Sequence, residues 1–168
     1  MARYRLAQLN VGHLRAPLTS PELAGFVALF DPLNALAESF PGFVWRLMTE
    51  EGNATAVRLL ADDSLLVNLS VWESVEDLAD FAYRSAHRDA IRRRREWFTR
   101  MAEASHVLWW VEAGHLPTVA EAVERLLHLR RFGPTPHAFT FRAPEPPPGG
   151  GSSPLPPAPS RECPTRQP

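Results

Sequence analysis

At 168 residues, with 45% apolar and 22% charged side chains, the chain has the size and composition of one packed domain, neither disordered nor membrane-embedded. A net charge of −1 argues against a broadly basic nucleic-acid binder, and all 18 Lys+Arg positions are arginine, a coding bias that lowers the weight of any single arginine. The lone Cys163 excludes an internal disulfide or a cysteine-based zinc site, and no signal-peptide core or run of ~18 apolar residues is present, so a cytoplasmic protein with no membrane partner is expected.

RYRLAQLNVGHL reads as a first strand whose alternation puts Tyr4, Leu6, Gln8 and Asn10 on one face and Arg5, Ala7, Leu9 and Val11 on the other. TSPELAGFVALFDPLNALAESF follows as a helix, with Ser20 as N-cap, Pro21 at the first helical position and Pro32 bending or restarting it. Pro41-Gly42 ends it before a strand FVWRLMT. Glu51-Gly52-Asn53 is a turn, TAVRLL a short strand and Asp62-Asp63-Ser64 another turn. LLVNLSVWE is the clearest strand, with Leu66, Asn68, Ser70 and Trp72 alternating against Val67, Leu69, Val71 and Glu73.

Ser74 and Asp77 open SVEDLADFAYRSAHRDAIRRRREWFTRM like a capping box, and Thr118 and Glu121 do the same for TVAEAVERLLHLRRF, which Gly133-Pro134 stops. Between these helices HVLWWVEA is a strand, and AFTF is a short edge strand. Residues 143–168 hold ten of the chain's 17 prolines and read as a disordered tail behind a domain over residues 1–142.

This order implies an α+β protein: a two-layer sandwich with an antiparallel sheet and helices on one face. Strands VNLSVW and VLWWV carry large apolar residues on both faces. The uncovered face therefore predicts a homodimer joined sheet to sheet.

Candidate site residues come from the second helix and two strands. If that helix is unbroken, Tyr83, His87, Ile91, Arg94 and Phe98 share one face, while Arg92, Arg93 and Arg95 point to solvent. On that face His87 is the candidate proton acceptor or donor; the alternative is a satisfied buried histidine. A kink at Ser85-Ala86 would loosen the register. Gln8 and Asn10, with Asn68, Ser70 and Trp72, form the matching sheet set, since amides are poor strand formers and need partners when buried. Adjacent Trp109 and Trp110 must face opposite sides of their strand. The histidines show neither H-x-x-x-H nor H-E-x-x-H spacing, so no metal is expected; G-x-S-x-G and phosphate-loop motifs are absent as well.

NLSVWESVEDLADFAYRSAH, RRREWF and LWWVEAGHLPTVAEAVERLLHLRRFGPTPHAFTF resemble the DUF3291 family over Tyr4 to Phe141. The resemblance implies a ferredoxin-like protomer of the dimeric α/β-barrel superfamily, with a ligand cavity between each sheet and its own helices. Antibiotic-biosynthesis and haem-degrading monooxygenases belong to that superfamily. Against the haem-degrading pattern, Asn10 matches the asparagine and Phe81 falls at the aromatic's place, where those enzymes use tryptophan, but the ligating histidine falls near Ile91 rather than His87. No cofactor is therefore expected, with haem as a second alternative.

The functional expectation is a small-molecule-binding protein, either a cofactor-independent monooxygenase-like enzyme acting on an aromatic or conjugated substrate or a non-catalytic ligand-binding or stress-related dimer. In the first case His87 is the base, Asn10 and Asn68 steady an anion, and Gln8, Ser70, Trp72, Tyr83, Arg94 and Phe98 bind substrate.

Overall fold

The computed structural model describes residues 3–48 and 64–149. The turn at Glu51-Gly52-Asn53, the strand TAVRLL, Asp62-Asp63 and most of the Pro-rich tail lie outside the described residues.

Strand β1 (Tyr4–His13) is followed by a 3-10 turn at Pro21–Leu23, α1 (Ala24–Val27) and α2 (Phe30–Ser39). The expected single helix is thus divided. Pro32 sits in the first turn of α2, where its missing N–H costs nothing, so the break precedes it. Then come β2 (Phe43–Arg46), β3 (Leu65–Trp72), α3 (Val75–Arg84), α4 (His87–Arg93), a 3-10 turn at Arg94–Glu96, β4 (His106–Glu112) and α5 (Val119–Phe132).

The sheet order is β2-β3-β1-β4, with every neighbouring pair antiparallel. That order, with a helical connection between β1 and β2 and another between β3 and β4, is the ferredoxin-like α+β arrangement expected from the sequence. The N-cap half of both boxes forms: Ser74 Oγ accepts from Asp77 N at 3.1 Å, and Thr118 Oγ1 accepts from Glu121 N at 3.2 Å. Gly133, at φ 73°, ends α5. Phe139 exchanges backbone hydrogen bonds of 2.9 and 2.8 Å with Leu108, so AFTF adds a bridge at the free edge of β4. No helix among the described residues is long and apolar enough to cross a membrane.

The alternation of β1 sorts its side chains into two layers of different character. Leu6 packs with Trp72, Leu108, Ala37 of α2, and Leu78 and Phe81 of α3. Ala7, Leu9 and Val11 pack instead with Val67, Leu69, Val71, Val107, Trp109 and the Ala122, Leu126 and Leu129 stripe of α5. Helix α5 therefore lies on the second face of the sheet.

The face expected to be bare in a single chain is therefore covered in part by its own helix. Ala7, Leu9, Val71 and Trp109 are already 0% exposed within the single chain. The indole N–H of Trp109 also donates to Glu121 of α5 at 3.1 Å. Trp109 and Trp110 face opposite sides as expected, Trp110 donating to the Glu145 carbonyl at 2.7 Å. Contacts with the body thus extend past residue 142.

Candidate functional site

On the face bearing α2 and α3, polarity changes along the strands. Leu6, Trp72 and Trp110 are level with one another, Gln8 pairs with Ser70 and Leu108, and Asn10 pairs with Asn68 and His106. The first level belongs to the aromatic cluster under α2 and α3, where Phe81 lies 5.0 Å from Trp72 between ring centroids. One step beyond Asn10, Gly12 lies beneath Phe98: a Cβ placed there would come within 2.5 Å of the ring. Phe98 belongs to a second aromatic cluster with Phe26 and Trp97. Between the two clusters the sheet floor is made of amides, a hydroxyl and an imidazole.

The buried part of that floor is fully bonded. Trp72 Nε1 donates to Ser70 Oγ at 2.9 Å, and Gln8 Nε2 donates to the same oxygen at 2.9 Å. A weaker contact of 3.4 Å joins Gln8 Nε2 to Asn68 Oδ1. This turns the Gln8 carbonyl toward His106, whose Nε2 donates to Oε1 at 3.0 Å. A carbonyl oxygen only accepts, so Nε2 carries the proton and the lone pair of the neutral ring resides on Nδ1. Gln8 and Ser70 are 6% and 5% exposed, whereas Asn10 and Asn68 are exposed although they lie mid-strand on the two central strands. Helices leave this end of the floor open.

His106 stacks on Phe141 at 5.2 Å and 11°, and Tyr83 meets the same ring edge-on at 5.6 Å. Burial lowers the pKa of His106 from 6.5 to about 4, so it is neutral near pH 7. The alternation of His106, Leu108 and Trp110 was legible in HVLWWVEA. What placed His106 beside Gln8 was the β1–β4 register, which periodicity does not reveal.

The second helix does not present the continuous face that its spacing suggested. It breaks at Ser85, whose backbone is extended (φ −99°, ψ −178°), and restarts as α4. Ser85 Oγ bonds the Phe81 carbonyl and accepts from His87 N, the latter at 3.1 Å. His87 stacks on Phe81 at 4.8 Å, and its Nδ1 is buried with no hydrogen-bond partner among the described residues. Burial lowers its pKa, opposed by the nearby Ala82 backbone.

Of the expected binding residues, Gln8, Asn68, Ser70 and Trp72 form one hydrogen-bonded group, with Asn10 beside Asn68. Tyr83 is 50% exposed and reaches the floor through Phe141. Phe98 flanks it through Gly12. Arg94 falls in the 3-10 turn and is exposed, as are Arg92, Arg93 and Arg95, so the broken helix separates it from the group. Two shallow depressions of about 400 and 440 Å³ lie elsewhere, one along His13 and Thr99–Glu103, the other on α5 between Ala120 and Phe132.

Known structures similar to this chain include SnoaB, a cofactor-independent oxygenase from Streptomyces nogalater. It is 17% identical, with 68% of this chain and 96% of that chain covered at a TM-score of 0.42. A protein of unknown function from Nitrosomonas europaea is 15% identical, with 70% of this chain and 99% of that chain covered at a TM-score of 0.44. No curated protein matches the chain. The family described as a domain of unknown function, DUF3291, matches residues 5–153, and the chain belongs to that family.

Proposed function

We propose that the chain binds a flat, conjugated small molecule over the amide floor and oxidises it without a resident cofactor. The observation that carries this reading is the exposed pair Asn10 and Asn68, held in register on β1 and β3 above a bonded base of Gln8, Ser70 and Trp72. Amides are poor strand formers, and here the Asn68 side chain has only the weak 3.4 Å contact from Gln8. Exposed N–H and C=O groups are what a ligand lying on this floor would meet, and the aromatic clusters on either side suit a planar one.

In the catalytic form of this reading, the neutral ring of His87 takes a proton from an acidic CH₂ or phenol of the substrate. Asn10 and Asn68 donate to the resulting oxyanion. The electron-rich anion reduces O₂ and forms a carbon–oxygen bond as a hydroperoxide. Loss of water then leaves a carbonyl, so one oxygen atom enters the product and the other leaves as water. A second copy of the chain is the proposed partner. With α5 on the sheet, the half-exposed Leu116, Leu127 and Phe132 are apolar side chains left for that contact.

The experiment is a melting-temperature screen of planar phenolic ketones, followed by oxygen uptake with those that stabilise the protein. His87→Gln is expected to abolish uptake and retain binding, whereas Asn10→Ala with Asn68→Ala loses both. Stabilisation without uptake leaves the non-catalytic ligand binder, and no stabilisation by any compound removes both forms. Light scattering of wild type and Leu127→Glu measures self-association.

A further inference from the structure

Away from the amide floor, on the flank of α5, three metal-ligating side chains converge that the proposed chemistry does not use. Glu124 and His128 stand one helical turn apart, and His137 comes from the turn after the helix. One ligand atom from each lies within 4.8 Å of the others. We propose that Glu124, His128 and His137 bind a divalent ion of the zinc class. Two imidazoles and a carboxylate suit a borderline cation, with a fourth position open to water.

The geometry is close to what such an ion requires. His137 Nε2 lies 3.0 Å from both oxygens of Glu124. Donors around a tetrahedral ion with bonds of ~2.0–2.1 Å stand ~3.3 Å apart, so these two need part by only a few tenths of an ångström. The rings of His128 and His137 are 4.6 Å apart at 56°. Both are held from behind. His128 Nε2 bonds Thr135 Oγ1 at 3.1 Å, and paired Thr135–Ala138 backbone bonds of 2.8 and 3.1 Å close the turn that carries His137. The Glu-x-x-x-His spacing and the turn after Gly133 together make the site.

Arg125 is the built-in competitor. Its Nη1 lies 2.6 Å from His137 Nδ1 and 2.8 Å from the His137 carbonyl, and its Nε lies 3.6 Å from Glu124. A guanidinium only donates, so in the metal-free protein Nδ1 holds the lone pair and Nε2–H donates to Glu124. An ion at Nε2 requires that proton to move to Nδ1 and Arg125 to withdraw from it. Arg125 can keep the carbonyl contact and lean toward Glu121, now 4.0 Å away. Arg131, on the same depression as Glu124 and His128, adds a second positive charge beside the site. Because the same segment carries Phe139 and Phe141, an ion here would tie the wall against His106 to α5.

Titration calorimetry of the full chain with Zn²⁺ tests this, with visible absorption of the Co²⁺ form as the signature of tetrahedral nitrogen and oxygen ligation. One saturable equivalent is expected. His128→Ala and His137→Ala should each weaken it at least about tenfold. Arg125→Gln should tighten it, an effect that no merely structural role of Arg125 would produce. Cys163→Ser and His115→Ala should bind as wild type does, and Zn²⁺ should raise the melting temperature of wild type only where both histidines are intact. The proposal fails if the wild type takes up no Zn²⁺, if the double histidine variant binds unchanged, or if Cys163→Ser removes the uptake.

Discussion

The two faces of the sheet are built from alternate residues of the same strands, yet they are unlike. Under α5, Ala7, Leu9, Val11, Val67, Leu69 and Val71 form an unbroken apolar layer, closed by Trp109 against Glu121. Under α2 and α3 the intervening residues run from Leu6 and Trp72 through Gln8 and Ser70 to the exposed Asn10 and Asn68. The first face gains stability from every position it contains. The second gives up apolar burial at one end, and it is there that a ligand site is proposed.

The strongest way to break this contrast is to damage the α5 face. Trp109 is 0% exposed, and Trp109→Ala should cost about 3–5 kcal/mol, a large share of the stability of a domain this size. Trp109→Phe keeps most of the packing and removes the donor to Glu121, so about 1 kcal/mol is expected by denaturant titration. Equal losses from the two would mean that the hydrogen bond, not the packed face, holds α5.

Gln8 probes the other face. Gln8→Leu preserves bulk but leaves the His106 N–H without its acceptor and takes one donor from Ser70, a cost of about 1–3 kcal/mol. Adding His106→Leu removes the stranded group, so the double variant should be more stable than Gln8→Leu alone. A double variant that simply sums the two losses would separate Gln8 from His106.

Much of this architecture was legible because caps, alternation and terminal glycines are local signals. Ser74, Thr118 and Gly133 mark helix ends where their chemistry says they should. The face that α5 covers is not local. Its apolar stripe requires a partner surface without saying which, and the bare sheet face was therefore assigned to a second copy. Arg94 joined the His87 face only on the condition of an unbroken helix, and the helix ends at Ser85, whose hydroxyl bonds the Phe81 carbonyl. The grouping of Glu124, His128 and His137 escapes a search for histidine pairs because one member is a carboxylate and another lies beyond the helix.

The pH dependence of stability sharpens the contrast further, because the lowered histidines lie at the polar end of the site face or packed beside its aromatic cluster. His106 has a folded pKa of about 4, and that of His87 is also lowered, both through burial. Between pH 6.5 and about 4 the unfolded chain takes up protons that the native rings refuse, so stability is complete above pH 6.5 and declines as pH falls toward 4. Melting temperature measured across that window should drop steadily, and His106→Gln should flatten the slope. An unchanged slope in that variant would place the effect on His87 or on the carboxylates.

The smallest expected effect is the most discriminating. Asn10 and Asn68 are exposed, so Asn10→Ala and Asn68→Ala should each change stability by no more than about 0.5 kcal/mol. Leu9, one residue away on the α5 face, is 0% exposed, and Leu9→Ala should cost about 2–5 kcal/mol. Neighbours in one strand would thus differ severalfold in stability while the order reverses for ligand: the amide variants lose the thermal shift that a bound planar compound confers, and Leu9→Ala, if folded, retains it. Should the asparagine variants prove as costly as Leu9→Ala, their amides would be holding the sheet together rather than waiting for a ligand.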